Sequence, residues 1–137
     1  MAKFFTERQI QQYHKDGYLS PIRIMSEEDA LALRIEIEAF EASQGKPIHG
    51  TQKTKAFLRF SWAYNLVVRS NILDGVEDLI GSNILCYQHG VWFKEPETGS
   101  YVSWHQDATY YGMDPWDLLS AWVALTPADD ESGCMQV

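Results

Sequence analysis

The pattern of apolar and polar positions divides the chain near residue 81. Upstream, the pattern is helical and the helix ends are marked. Thr6-Glu-Arg-Gln9 has the form of a capping box, Ile10 and Tyr13 supply a short apolar stripe, and Gly17 is placed to stop the turn. "YLSPIRI", residues 18–24, reads as extended. Ser26-Glu-Glu-Asp29 starts a second helix with acids in its first turn, where the helix dipole favours them. In "ALALRIEIEAF", residues 30–40, Leu31, Leu33, Ile35 and Ile37 alternate as a strand would. Its Ala and Glu content, the cap before it and Gly45-Lys-Pro47 after it decide for helix. Residues 46–70 are mixed, with "KAFLRFSW" (55–62) reading as a strand. Asn71 is placed to cap a short helix, "ILDGVEDLI", that Gly81 ends.

Downstream the texture changes. "ILCYQHGVWFK", "YVSWHQDATY", "LLSAWVALT" and "GCMQV" are short and β-prone, and "EPETGS", "GMDPWD" and "PADDESG" between them are turn chemistry. Helices followed by strands at hairpin-like spacing predict an α+β class, with an antiparallel sheet or barrel in the second half. The chain has no internal repeat and no low-complexity segment.

Length and composition narrow this picture. At 137 residues, 45% of them hydrophobic, the chain supports one folded domain spanning 1–137. Eleven basic against nineteen acidic side chains give a net charge of −8. That balance argues against a nucleic-acid partner, which needs a basic surface. The amino terminus turns polar after two phenylalanines, so no secretory leader is expected. Nor does any stretch approach the roughly 18 apolar residues of a membrane span. Cys86 and Cys134 have neither zinc nor CxxC spacing and are expected as reduced, half-buried thiols of a cytoplasmic protein.

Candidate chemistry lies in "YVSWHQDATYYG", residues 101–112. A strand throws residues i and i+2 onto one face, so His105 and Asp107 would converge on one spot. Two histidines and one carboxylate on one side of a metal make the facial site of non-haem Fe(II) oxygenases, with the opposite side open. His105 and Asp107 supply two of those three ligands. The pair alone also fits a surface histidine beside a solvated aspartate.

The surrounding residues resemble the phytanoyl-CoA dioxygenase family of Fe(II)- and 2-oxoglutarate-dependent oxygenases. "FKEPETGSYVSWHQDATYYGMDP" is similar to the family's F-x-K-x-P strand and its W-H-Q-D metal strand, and "SAWVALTPADDESGCMQV" to its A-W-x-A-L strand and the acidic turn after it. "QIQQYHKDGYL" and "ILDGVEDLIGSNIL" look like its opening helix and the helix before its core. The resemblance runs from about residue 6 to the last residue. It implies amino-terminal helices packed on a double-stranded β-helix (jelly-roll) core whose carboxy-terminal strands are missing here. By residue match it implies His105 and Asp107 as iron ligands and Trp122 as a wall of the 2-oxoglutarate pocket. Gln88 and Lys94 would face that site, with Lys55 near the co-substrate carboxylate. Tyr110 and Tyr111 would face the substrate. His14, His49 and His89 match no ligand position and are expected at the surface or as satisfied core residues.

The same resemblance implies that the family's second metal histidine, and the arginine that clamps 2-oxoglutarate, fall beyond Val137. Two readings follow. One is part of an iron dioxygenase that takes a small organic or acyl substrate, 2-oxoglutarate and molecular oxygen. The other is an inactive, metal-free or partner-dependent binding module. Halogenating relatives lack the carboxylate, so Asp107 favours hydroxylation. Substrate identity and oligomeric state are open.

Overall fold

In the computed structural model, which describes residues 2–137, the helices follow the local signals closely. Helix α1 spans Glu7–Asp16. Thr6 Oγ1 accepts from the Gln9 amide at 3.3 Å, and Gln9 Oε1 accepts from the Thr6 amide at 3.0 Å, so the capping box forms as read. Gly17 closes the helix at φ +83°, where its N–H reaches the Tyr13 carbonyl at 2.8 Å. Helix α2 spans Glu27–Gln44, opened by Ser26 Oγ on the Asp29 amide and closed by left-handed Gly45. Leu33, Ile37 and Phe40, at i, i+4 and i+7, face the core, whereas Leu31 and Ile35 are exposed. The alternation that resembled a strand is therefore two faces of one helix.

Between α2 and the next helix lie 3-10 turns at Gly50–Gln52 and Ala56–Leu58. Helix α3 spans Ser61–Val67 and α4 spans Ser70–Ile80. The strand expected over "KAFLRFSW" does not form. Trp62, Ala63 and Leu66 are buried at helical spacing, and this burial outweighs the β-prone composition. Asn71 is not a cap either: it lies inside the first turn of α4, and Arg69 holds the cap position. Asn71 Nδ2 and Arg69 Nε both donate to the Ile24 carbonyl, at 2.6 and 3.2 Å, while the Arg69 guanidinium pairs with Asp29 at 3.1 Å. These bonds join the end of the 18–24 segment to α2 and α4.

Ile37, Ile48, Ala56, Trp62, Ala63 and Val91 form the buried cluster, with Leu33, Phe40, Phe57, Phe60 and Leu125 packed against it. Phe60 stacks on Trp62, centroids 5.6 Å apart, and meets Phe40 edge-on at 4.8 Å. A second packing site holds the amino terminus on α4. Phe5 and Phe4 lie so close to Gly75 that a Cβ there would sit 3.0 Å from the Phe5 ring. The Asp78 carboxylate accepts the amides of Lys3, Phe4 and Phe5, each at 2.8 Å. Desolvation pushes its pKa up, but those three donors outweigh it and hold the group below the usual carboxylate value.

The jelly-roll core is overturned. Among the described residues there is no sheet, only one antiparallel bridge between Thr54 and Gly90. Lys55 N–H to His89 O at 2.7 Å and Val91 N–H to Lys53 O at 3.0 Å flank it. The segments 84–94, 101–107, 118–126 and 134–137 run without ladders, and residues 108–111 form a helical turn, α5 (Ala108–Tyr111). A helix closes its hydrogen bonds within one segment, whereas a strand needs neighbours, and these segments do not neighbour one another in register. Cys86 and Cys134 form no disulfide and are half-buried. No helix among the described residues is long and apolar enough to cross a membrane.

Candidate functional site

His105 and Asp107 do meet, though not on a strand. Asp107 has helical backbone angles (φ −55°, ψ −42°) at the start of α5, so the chain bends between the two residues and turns both side chains to one side. His105 Nε2 lies 3.4 Å from Asp107 Oδ1. The far atom of each group is engaged. His105 Nδ1 is 2.7 Å from the Ser103 carbonyl, and Ser120 Oγ donates to Asp107 Oδ2 at 2.5 Å.

Protonation follows from these partners. A carbonyl can only accept, so the proton of a neutral His105 ring sits on Nδ1 and the lone pair on Nε2. Nε2 and Oδ1 then present two lone-pair atoms to each other, which a proton on Nε2 or a shared cation would reconcile. Adjacent ligands on a first-row metal with bonds of about 2.1 Å lie about 3 Å apart, close to the separation found here. The imidazole–carboxylate donor set also suits Fe(II). The pair therefore fits two metal positions. Among the described residues no third His, Cys, Asp or Glu joins it.

The neighbouring tyrosines are close. Tyr110 meets the His105 ring edge-on at 5.9 Å, and Tyr111 meets Tyr87 at 5.1 Å. Burial, followed by the Asp107 charge and Tyr87, raises the Tyr111 pKa. The other candidate residues are elsewhere in the bonding pattern. Lys94 gives its ammonium to the Gly133 carbonyl, and Lys55 is exposed, at left-handed φ +58°, with its amide in the Thr54–Gly90 bridge. Gln88 is exposed and Trp122 half-exposed. None of these four makes a hydrogen bond to His105 or Asp107 among the described residues.

His89 departs from its expectation. Its Nδ1 is buried without a partner, and the ring packs near the edges of Phe57 and Trp62 at 6.4 and 6.3 Å. Burial pushes its pKa below the usual histidine value. The outer partner of Asp107 was missed as well. Ser120 opens the "SAWVAL" segment, two residues before Trp122, and that spacing was the available signal.

Comparison with known proteins sets this geometry in context. The profile of the phytanoyl-CoA dioxygenase (PhyH) family matches residues 4–137. The chain belongs to this family. Among its PhyH relatives, L-proline trans-4-hydroxylase of Streptomyces griseoviridis is 26% identical, over 92% of this chain and 51% of its own length. Methylphosphonate hydroxylase of Gimesia maris is 26% identical, over 98% of this chain and 56% of its own. A probable alpha-ketoglutarate-dependent hypophosphite dioxygenase of Stutzerimonas stutzeri is 31% identical over 57% of this chain and 27% of its own. The PhyH chain described here thus spans about half the length of the first two relatives. No solved structure matches it.

Proposed function

We propose that the protein carrying this chain is an Fe(II)- and 2-oxoglutarate-dependent hydroxylase of a small organic substrate, with His105 Nε2 and Asp107 Oδ1 as two of its iron ligands. The observation that carries the reading is the convergence of those atoms with both outer atoms already bonded. Outer partners of this kind fix the orientation of a ligating imidazole or carboxylate. The names of the relatives, two hydroxylases and a probable 2-oxoglutarate-dependent dioxygenase, support the same class. Iron and 2-oxoglutarate, when bound, would let molecular oxygen act as the oxidant: one oxygen atom would go to succinate as 2-oxoglutarate loses carbon dioxide, and the other would enter a substrate C–H bond. In this reading Trp122, Gln88, Lys94 and Lys55 contact the co-substrate, Trp122 foremost because it lies two residues beyond Ser120, which bonds Asp107. Tyr110 and Tyr111 border the substrate, beside His105 and Asp107 respectively. Asp107 fills the position a halide would need, so hydroxylation is favoured over halogenation.

One observation favours the metal-free binding module as a second reading: the pair has no third ligand among the described residues. Turnover separates the two. In the full natural polypeptide, His105→Ala and Asp107→Ala are each expected to lower 2-oxoglutarate-dependent succinate formation at least about a hundredfold. Near-normal turnover in both variants would refute the ligand assignment, and absence of turnover in the wild type would favour the binding module.

A further inference from the structure

We infer that Ser120 is a positioning residue that holds Asp107 as a one-oxygen ligand. The inference rests on the reading of His105 and Asp107 as a metal pair and adds a residue that acts on it from a different segment. Ser120 is thirteen residues beyond Asp107, and the α5 turn and the 112–117 loop separate the two. Its hydroxyl is the donor, because an ionised carboxylate can only accept.

The consequence lies in which oxygen remains. A carboxylate can bind a metal through one oxygen or through both, and two-oxygen binding occupies two positions. Ser120 ties up Oδ2, and Oδ1 is the oxygen that faces His105 Nε2. The carboxylate is thereby held with one edge toward the metal position and the other toward the 118–126 segment. One more position is then free for a small molecule than if Asp107 chelated. The corresponding tether on His105 comes from a main-chain carbonyl, which substitution leaves in place, whereas the tether on Asp107 is a side chain that can be removed. Ser120 is exposed, so its removal leaves no cavity in the core.

The test uses the full natural polypeptide with Ser120→Ala, Ser120→Thr and His105→Ala. Mn(II) affinity is measured by calorimetric titration, and succinate formation is resolved into kcat and KM for 2-oxoglutarate. Ser120→Ala should weaken Mn(II) binding about ten- to a hundredfold and raise the KM for 2-oxoglutarate, while Ser120→Thr, which keeps the hydroxyl, should stay within about threefold of wild type. Wild-type Mn(II) affinity in Ser120→Ala, or a Thr variant as weak as the Ala variant, would overturn the inference. His105→Ala separates the two levels of failure. If it binds Mn(II) as the wild type does, the metal reading itself fails; if it loses binding while Ser120→Ala keeps it, only the role of Ser120 fails.

Discussion

Residues 2–81 and 82–137 treat their aromatic side chains in opposite ways. Trp62 in α3 is 6% exposed, whereas Trp92, Trp104, Trp116 and Trp122 are each half or more open to solvent. Among the described residues, six of the seven buried apolar ones precede residue 82, and Val91 is the seventh. The accessible area of 10454 Å² reflects this, since a compact monomer of this mass would expose about 7,300 Å². The first region is built from helices that satisfy their own backbone groups and need only one face covered. The second has no regular element besides α5 and one bridge, and β-prone segments bury side chains only when neighbours complete a ladder. The metal-ligand candidates sit in the second region, while the core that could anchor them sits in the first. Val91 and Leu125 join the core cluster from the second region.

The largest test of this contrast compares two tryptophans. In the 137-residue polypeptide, Trp62→Ala is expected to cost about 3–5 kcal/mol by urea unfolding, because it empties the core. Trp116→Ala is expected to stay within about 0.5 kcal/mol, as exposed substitutions do. Equal losses would show that the second region is packed as firmly as the first.

A smaller effect concerns the seam, where His89 enters the core beside Trp62. Burial lowers its folded-state pKa below the ordinary 6.5, so the unfolded chain binds this proton more readily. The stability that goes with neutral His89 is therefore complete above about pH 6.5 and is lost as pH falls from there toward the folded-state pKa. His89→Phe removes both the titration and the unpaired Nδ1. It is expected to gain about 1 kcal/mol at neutral pH and to flatten the acid limb of a stability–pH profile. An unchanged slope below pH 6.5 would mean that His89 is not the group that links the regions to pH.

Legibility from sequence divides along the same line. Thr6, Gly17, Ser26, Gly45 and Gly81 marked helix ends correctly, because caps and left-handed glycines act on neighbouring residues. "KAFLRFSW" misled because the burial of Trp62, Ala63 and Leu66, a tertiary effect, decided its conformation. The β-prone segments after residue 82 misled more deeply, since strand formation depends on partners that no local window contains. His105 and Asp107 approach each other through a bend into α5, not through the strand parity expected of them. Ser120 escaped notice because its two-residue spacing from Trp122 does not by itself indicate a bond to Asp107, thirteen residues away.

The central claim, that His105 and Asp107 share one divalent cation, is tested most directly by titrating Mn(II) into the ¹⁵N-labelled full natural polypeptide. Paramagnetic broadening maps the ion without requiring turnover. The account predicts that amide signals of residues 103–107 and 120 vanish first, at less than one equivalent, while those of α1 and of the acidic first turn of α2 remain sharp. Broadening that begins at Glu27, Glu28 and Asp29, or that spreads evenly over the acidic surface, would contradict it.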